Sequence, residues 1–74
     1  MGLRPGFPDI VVVADGHFIA IELKRTQGGN NGTPAQREWI EALTMAGIPA
    51  KICLGAEEAI AFVNAVVQGS ARAM

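Results

Sequence analysis

The sequence predicts an α/β fold, a mixed sheet with flanking helices in the order strand, strand, helix, strand, helix. Three observations predict this class. Two apolar runs flank an Asp15-Gly16 pair, which is typical of a tight hairpin turn. A full set of helix-start residues occupies positions 33–36. A shorter apolar run near residue 50 is followed by a helical pattern of apolar residues.

The first two strands are predicted over residues 9–14 and 17–24. Ile and Val, which favour strands, dominate the first run, and Asp15-Gly16 suits a two-residue turn between antiparallel strands. Both strands are apolar on both faces. We therefore expect them to lie within a sheet that is covered on each side.

The first helix is predicted to follow a loop rich in Gly and Asn at residues 27–32. Thr33 suits the N-cap, Pro34 suits the first helical position, and Gln36 has the spacing of a capping box. The helix should run to about Ala46, with Gly47 as its stop. One face then carries Gln36, Trp39, Ile40 and Leu43, while Arg37, Glu38 and Glu41 point to water.

A third strand is predicted over residues 49–54 and a second helix over residues 56–68. This helix should pack through Ile60, Val63 and Val67, which share one helical face. Residues 1–8 form an N-terminal segment and residues 69–74 a flexible tail. The whole chain, 1–74, is thus predicted to be one domain.

The composition argues against several classes of protein. Half of the 74 residues are hydrophobic and the mean hydropathy is +0.29, which is too apolar for a disordered chain. The longest uncharged stretch, residues 59–71, is too short to cross a bilayer, and one cysteine does not indicate a disulfide scaffold. A net charge of −1 argues against a general DNA-coating protein, so any DNA contact should be local.

The predicted hairpin places two carboxylates in opposition. A two-residue turn after Ala14 determines how the strands pair, and that register brings Asp9 opposite Glu22. Directly opposed residues share a face of the sheet, with Cβ atoms roughly 4.5–5.5 Å apart. Lys24 lies two residues beyond Glu22 and shares that face.

This arrangement is chemically suited to a divalent cation. Like charges in direct opposition are destabilising, and a bound cation would offset the repulsion. Mg²⁺ prefers hard carboxylate oxygens, and Lys24 beside them could stabilise charge on a phosphate or help position an attacking water. The structural alternative is a solvated hairpin end, in which Lys24 simply pairs with Glu22.

At these residues the sequence resembles the PD-(D/E)xK nucleases. Gly6-Phe7-Pro8-Asp9 and Glu22-Leu23-Lys24 match the pattern of that superfamily. The glycine-rich loop and Thr33-Pro34-Ala35-Gln36 resemble its VRR-NUC (virus-type replication-repair nuclease) branch. The resemblance extends over residues 6–67. It implies a restriction-endonuclease-like fold, from which this chain lacks the N-terminal helix and first strand that are usual in the family.

The resemblance also implies a site for Mg²⁺ or Mn²⁺. Asp9 and Glu22 would bind the metal, with the backbone carbonyl of Leu23 as a further ligand. Lys24 would assist catalysis and Gln36 would support the site. For Gln36, helix capping is an equally good explanation of its position.

Other residues are interpreted individually. Arg25 and Thr33, at either end of the loop, are candidate contacts to a phosphate backbone, although a plain surface loop is as consistent. His17 is interpreted as a strand-end residue, Cys53 as a buried structural thiol and Trp39 as a core residue.

The leading hypothesis is a cytoplasmic Mg²⁺- or Mn²⁺-dependent DNA endonuclease that is encoded by a bacterium or a phage. Stand-alone members of the resembling family imply a homodimer that acts in DNA repair on branched DNA, such as four-way (Holliday) junctions. A small chain with uncovered apolar surface also favours an oligomer. The alternative hypothesis is a non-catalytic nucleic-acid-binding or assembly module that retains the nuclease fold.

Overall fold

A computed structural model describes residues 5–25 and 32–73 of the chain. The elements are β1 (Ile10–Ala14), β2 (His17–Lys24), α1 (Pro34–Met45), β3 (Ala50–Leu54) and α2 (Gly55–Ala73). Their order confirms the predicted α/β class and the sequence of strand, strand, helix, strand, helix. Most of the predicted loop at 27–32 lies outside the described residues, as do residues 1–4 and Met74.

The three strands form one mixed sheet in the order β1-β2-β3, with β2 in the centre. Strands β1 and β2 are antiparallel, and their register runs from Ala14 opposite His17 to Ile10 opposite Ile21. Asp15 and Gly16 both have positive φ, 55° and 78°, as a type I′ hairpin turn requires. The predicted two-residue turn and its register are therefore confirmed. Strand β3 runs parallel to β2.

The core lies on one face of the sheet, beneath α2. Ile19, Ile21 and Cys53 are buried there, so the interpretation of Cys53 as a buried thiol is confirmed. The partly buried side chains that pack on them come from β1 and α2: Ile10, Val12, Ala59, Phe62, Val63 and Val66.

Of the three residues predicted to form the packing face of α2, only Val63 is among the side chains packed on this core, and Val67 is partly buried. Ile60 is 60% exposed, and Phe62 packs on the core instead. Two apolar stripes overlap on this helix, since residues 59, 62, 63 and 66 also have helical spacing. The stripe that carries the larger Phe62 ring faces the sheet, which turns Ile60 outward.

Helix α2 is also longer than predicted. It continues to Ala73, whereas the sequence predicted an end at Gln68 and a tail over residues 69–74. Residues 69–73 are thus part of the helix. Gly69 weakens a helix without ending one, because it costs only about 1 kcal/mol relative to alanine. No helix among the described residues is long and apolar enough to cross a membrane.

The second face of the sheet is covered only in part. Helix α1 packs against β3, and its Gln36 reaches Glu22 of β2 on this face. Over β1, however, Val11, Val13 and Phe18 are exposed, with Val13 74% accessible. The expectation of a sheet covered on each side is therefore wrong for this part of the described structure. β1 is an edge strand on the side of the sheet away from α1.

Candidate active site

The two predicted acidic residues come together at the open end of the hairpin. Glu22 lies in central β2 and is only 7% exposed. Asp9 comes one residue before β1 and is exposed, so the strand starts at Ile10 rather than at the predicted Asp9. Because Ile10 pairs with Ile21, the next step of the same register places Asp9 alongside Glu22. The Oδ1 of Asp9 accepts a hydrogen bond from Leu23 N at 3.2 Å.

The segment before Asp9 rests on helix α1. Gly6 lies so close to the first turn that a Cβ there would be 2.7 Å from the backbone carbon of Ala35. The ring of Phe7 meets Trp39 edge to face, with centroids 4.9 Å apart. Trp39 is half-buried under this segment rather than part of the central core. These contacts fix the segment before Asp9 against α1 and so help to position Asp9 near the end of β2.

The surroundings of Glu22 disfavour its charge. Burial is the main cause that raises the pKa of Glu22 above its ordinary value of 4.5, and the nearby Asp9 carboxylate raises it further. The positive charge of Lys24 acts in the opposite direction without cancelling the effect. The two carboxylates are thus close enough to repel each other, as the register predicted.

Gln36 links Glu22 to Lys24. Its Nε2 donates to Glu22 Oε2 at 2.9 Å, and its Oε1 accepts from Lys24 Nζ at 2.9 Å. The direct approach of Lys24 Nζ to Glu22 Oε2 is longer, at 3.8 Å. Glu22 and Lys24 are therefore connected mainly by hydrogen bonds to the Gln36 carboxamide.

The orientation of the Gln36 carboxamide follows from its partners. A backbone N–H and a lysine ammonium can only donate, whereas an ionised carboxylate can only accept. Thr33 N donates to Gln36 Oε1 at 2.9 Å, alongside Lys24. The nitrogen must therefore face Glu22. Three independent partners agree on one orientation.

The same residue caps helix α1. Thr33 Oγ1 accepts from Gln36 N at 3.1 Å, which with the Thr33 N–H to Gln36 Oε1 bond completes a capping box. Capping and site support were alternative explanations of Gln36, and the structure combines them in one side chain. Thr33 thereby contacts the site through Gln36.

The donor set fits a small divalent cation. Mg²⁺ is usually held by one or two carboxylates, with water and substrate oxygens completing its shell. The described residues contain no group of three or more His, Cys, Asp and Glu side chains around one point. Asp9 and Glu22 supply the two carboxylates of such a site, and burial together with repulsion by Asp9 raises the pKa of Glu22. Leu23, the predicted carbonyl ligand, follows Glu22 in β2, and its N–H donates to Asp9 Oδ1.

The remaining predicted contacts lie beside the site. Arg25 is exposed directly after β2, and Thr33 is at the N-terminus of α1. Residues 26–31 between them are outside the described part of the chain. His17 is the first residue of β2, at the opposite end of the hairpin from Asp9.

Two neighbours of the site were not anticipated from the sequence. Gly32 is buried against Gln36, and Arg37 donates from Nη1 to the Gly32 carbonyl at 2.6 Å. Arg37 was expected only to face water, and it is indeed exposed. A glycine before an N-cap is common in turns, so its position alone carried no indication of this contact.

Comparisons with known proteins agree with the geometry. A family model, the VRR-NUC domain, matches residues 1–57. The solved structure of a VRR_NUC domain protein is similar to this chain, with a TM-score of 0.71 and 29% sequence identity. The match covers 85% of this chain and 53% of the other, so the chain spans about half the length of that relative. No curated protein matches the chain significantly.

Proposed function

This chain belongs to the VRR-NUC family, whose members are in general nucleases, and from that membership we propose that it is a metal-dependent DNA endonuclease. One observation supports the proposal above the others. The carboxylates of Asp9 and Glu22 lie together beside the ammonium of Lys24, at an open end of the sheet. Acidic oxygens next to a cation suit the hydrolysis of a phosphodiester.

Asp9 and Glu22 would hold Mg²⁺ or Mn²⁺, with the Leu23 carbonyl as a further ligand. When bound, such an ion stabilises charge on a phosphoryl oxygen and makes a bound water more acidic. Burial and repulsion by Asp9 raise the pKa of Glu22, and neutralisation of the two carboxylates would remove the repulsion.

Lys24 supplies a positive charge for the phosphate. Its Nζ donates to Gln36 Oε1 at 2.9 Å, and the side chain remains 29% exposed. A preorganised ammonium of this kind can stabilise the negative charge that develops on phosphate oxygens as the bond to the attacking water forms. Gln36 limits the directions in which Lys24 can point, and it also holds Glu22 in place.

The proposed substrate is duplex or branched DNA that meets the protein over a small area. The net charge of −1 favours local contact rather than wrapping. Arg25 directly follows the strand that carries Glu22, and Thr33 donates to Gln36 Oε1. A second copy of the chain, docked over the exposed Val11, Val13 and Phe18, would extend the surface offered to DNA. We therefore propose a homodimer, with four-way junctions as the first branched substrate to test.

The test is cleavage of labelled DNA by the purified chain. Linear duplexes and four-way junctions of equal composition are incubated with Mg²⁺, with Mn²⁺, and with a chelator. The proposal expects cleavage with either metal and none with the chelator. Asp9→Asn should abolish it, because the amide keeps the acceptor for Leu23 N but loses the charge that binds metal.

Melting temperatures measured in the same buffers test metal binding, and DNA binding separates the nuclease from the non-catalytic module. A ligand that binds only the folded state raises the melting temperature, so the wild-type chain should gain stability with millimolar metal. Binding of DNA without cleavage under all metal conditions would contradict the nuclease and favour the non-catalytic module. Equal cleavage of linear and branched DNA would contradict only the preference for junctions.

A further inference from the structure

Gly32 provides the space that the Gln36 carboxamide occupies. A Cβ built on Gly32 would lie 2.8 Å from Gln36 Oε1 and 3.0 Å from Ile52 Cδ1. Real Cβ atoms essentially never approach other atoms as closely as the first of these distances. Any other residue at position 32 would therefore push Gln36 Oε1 away from where it now lies.

That oxygen is the atom on which the network depends. Gln36 Oε1 accepts from both Lys24 Nζ and Thr33 N, each at 2.9 Å. A displaced oxygen would loosen Lys24, and the same rotation would carry Nε2 away from Glu22 Oε2. One misplaced carboxamide would thus release two side chains of the site.

Arg37 holds Gly32 in this place. Its Nη1 donates to the Gly32 carbonyl at 2.6 Å, one turn after the helix begins. The backbone of Gly32 has φ of +92°, a conformation that residues other than glycine rarely adopt. Two separate features therefore disfavour a Cβ at position 32: the positive φ and the short distance to Gln36 Oε1.

We propose that Gly32 is a positioning residue of the active site, which sets Lys24 and Glu22 through the Gln36 carboxamide and is itself held by Arg37. The effect on cleavage rests on the proposed nuclease function. The effect on Gln36 does not, because it follows from the contacts alone.

The test compares Gly32→Ala with Gly47→Ala in the full chain. Gly47 has nearly the same backbone angle, with φ of +87°, but a Cβ there would meet nothing within 4 Å. Both variants therefore carry similar backbone strain, and only Gly32→Ala adds a contact with Gln36. The side-chain amide signals of Gln36, identified by their loss in Gln36→Glu, are followed by NMR in metal-free protein.

We expect Gly32→Ala to move the Gln36 amide signals and Gly47→Ala to leave them in place. With DNA and Mg²⁺, Gly32→Ala should lower kcat about tenfold or more with little change in KM, because misplacement by about 1 Å can cost about a hundredfold. Gly47→Ala should cleave as the wild type does. Adding Ile52→Val to Gly32→Ala removes the second close contact and should restore neither readout.

Gln36 signals unchanged in Gly32→Ala, or restored by Ile52→Val, would overturn the proposal. If the wild-type chain cleaves no DNA, the nuclease function fails while the NMR comparison still decides the role of Gly32. If Gly32→Ala does not fold, Arg37→Ala replaces it, since this change adds no atom beside Gln36 and removes the bond to the Gly32 carbonyl. The Gln36 signals should then move, and unmoved signals would refute the proposal.

Discussion

At the scale of single residues, Glu22 shows a conflict between stability and the proposed chemistry. Its carboxylate is nearly buried, it lies near a second carboxylate, and its pKa is raised for these two reasons. Lys24 and Gln36 compensate in part, through the ammonium and through a hydrogen bond to Oε2. Burial and repulsion therefore make the charge of Glu22 unfavourable for the stability of the fold.

Glu22→Gln should therefore stabilise the metal-free protein at neutral pH. Because the pKa of Glu22 is higher in the folded chain than its ordinary 4.5, the folded state binds more protons between the two values. The free energy of unfolding of the wild type consequently falls as the pH rises through that window. The gain from Glu22→Gln should be full above the raised pKa and should vanish below pH 4.5. Urea unfolding at several pH values in a chelator measures it.

Glu41→Gln is the matched control, since Glu41 is exposed on α1. Its effect on the free energy of unfolding should be small at every pH, within about 0.5 kcal/mol, as for most surface substitutions. A destabilising Glu22→Gln at neutral pH would mean that the Lys24 and Gln36 contacts outweigh burial and repulsion, contrary to this account.

Lys24→Met tests the assigned role of the ammonium. The change removes the charge and the donor to Gln36 Oε1 while keeping most of the apolar stem. Cleavage should be lost, but the rise in melting temperature with Mg²⁺ should remain, because lysine is not a metal ligand. A variant that cleaves at the wild-type rate would show that Lys24 only pairs with Glu22, a contact worth about 0–1 kcal/mol at most exposed sites.

The acidic pair could be predicted from the sequence because a two-residue turn leaves one register. Once Asp15-Gly16 was recognised, the positions of Asp9, Glu22 and Lys24 followed from the period of the strands. The role of Gly32 could not be predicted in this way. It depends on how the N-terminus of α1 lies over β2, and that is decided by packing between elements distant in sequence.

At the scale of elements, the N-terminus of α1 and the proposed active site share the same residues. In one half of the capping box, Gln36 N donates to the Thr33 hydroxyl. In the other half, Thr33 N donates to the Gln36 carboxamide, which also bonds to Lys24 and Glu22. Formation of the first turn of the helix therefore also sets the site. The strands and helices could be predicted from local residues. The packing face of α2 could not, because the helix carries two overlapping apolar stripes and either could face the sheet.

Thr33→Ala should separate stability from activity. It removes the hydroxyl that accepts from Gln36 N and should cost about 1 kcal/mol of unfolding free energy. The backbone N–H of residue 33 still donates to Gln36 Oε1, so cleavage should fall by no more than about threefold, the equivalent of about 0.7 kcal/mol. Urea unfolding measures the loss of stability. Cleavage rates are measured at temperatures below thermal unfolding, where the variant remains folded.

Thr33→Ser keeps the hydroxyl and serves as the control, with stability close to that of the wild type. Loss of cleavage in Thr33→Ala as severe as in Lys24→Met would indicate that the cap hydroxyl itself acts in the site. That result would contradict the assignment of the carboxamide as the connecting group.

At the scale of the whole molecule, the sheet has one well-covered face and one open face. Helix α2 covers the first, whereas α1 covers the second only over β3 and part of β2. Val11, Val13 and Phe18 form a continuous exposed strip over the hairpin. The sequence of the strands indicated apolar side chains on both faces of the sheet. It could not indicate how much of the second face α1 would cover.

Val13→Lys should weaken self-association. Val13 is 74% exposed in the middle of the strip, so a lysine there would place a charge in any interface formed by that face. Sedimentation should show the wild type as a dimer or larger at micromolar concentration and Val13→Lys shifted toward the monomer. Met45→Lys, at an apolar position that is 82% exposed on α1, adds the same charge elsewhere and should sediment as the wild type does. A monomeric wild type would refute the homodimer.

The most direct test of the central claim, a nuclease site built on Asp9, Glu22 and Lys24, is the rate of DNA cleavage by Glu22→Gln in Mg²⁺. The rate is compared with those of the wild type and of Glu41→Gln purified in the same way. The account predicts loss of cleavage in Glu22→Gln, although that protein is the more stable one without metal, and wild-type cleavage in Glu41→Gln. Metal-dependent cleavage by Glu22→Gln at the wild-type rate would contradict the proposed site.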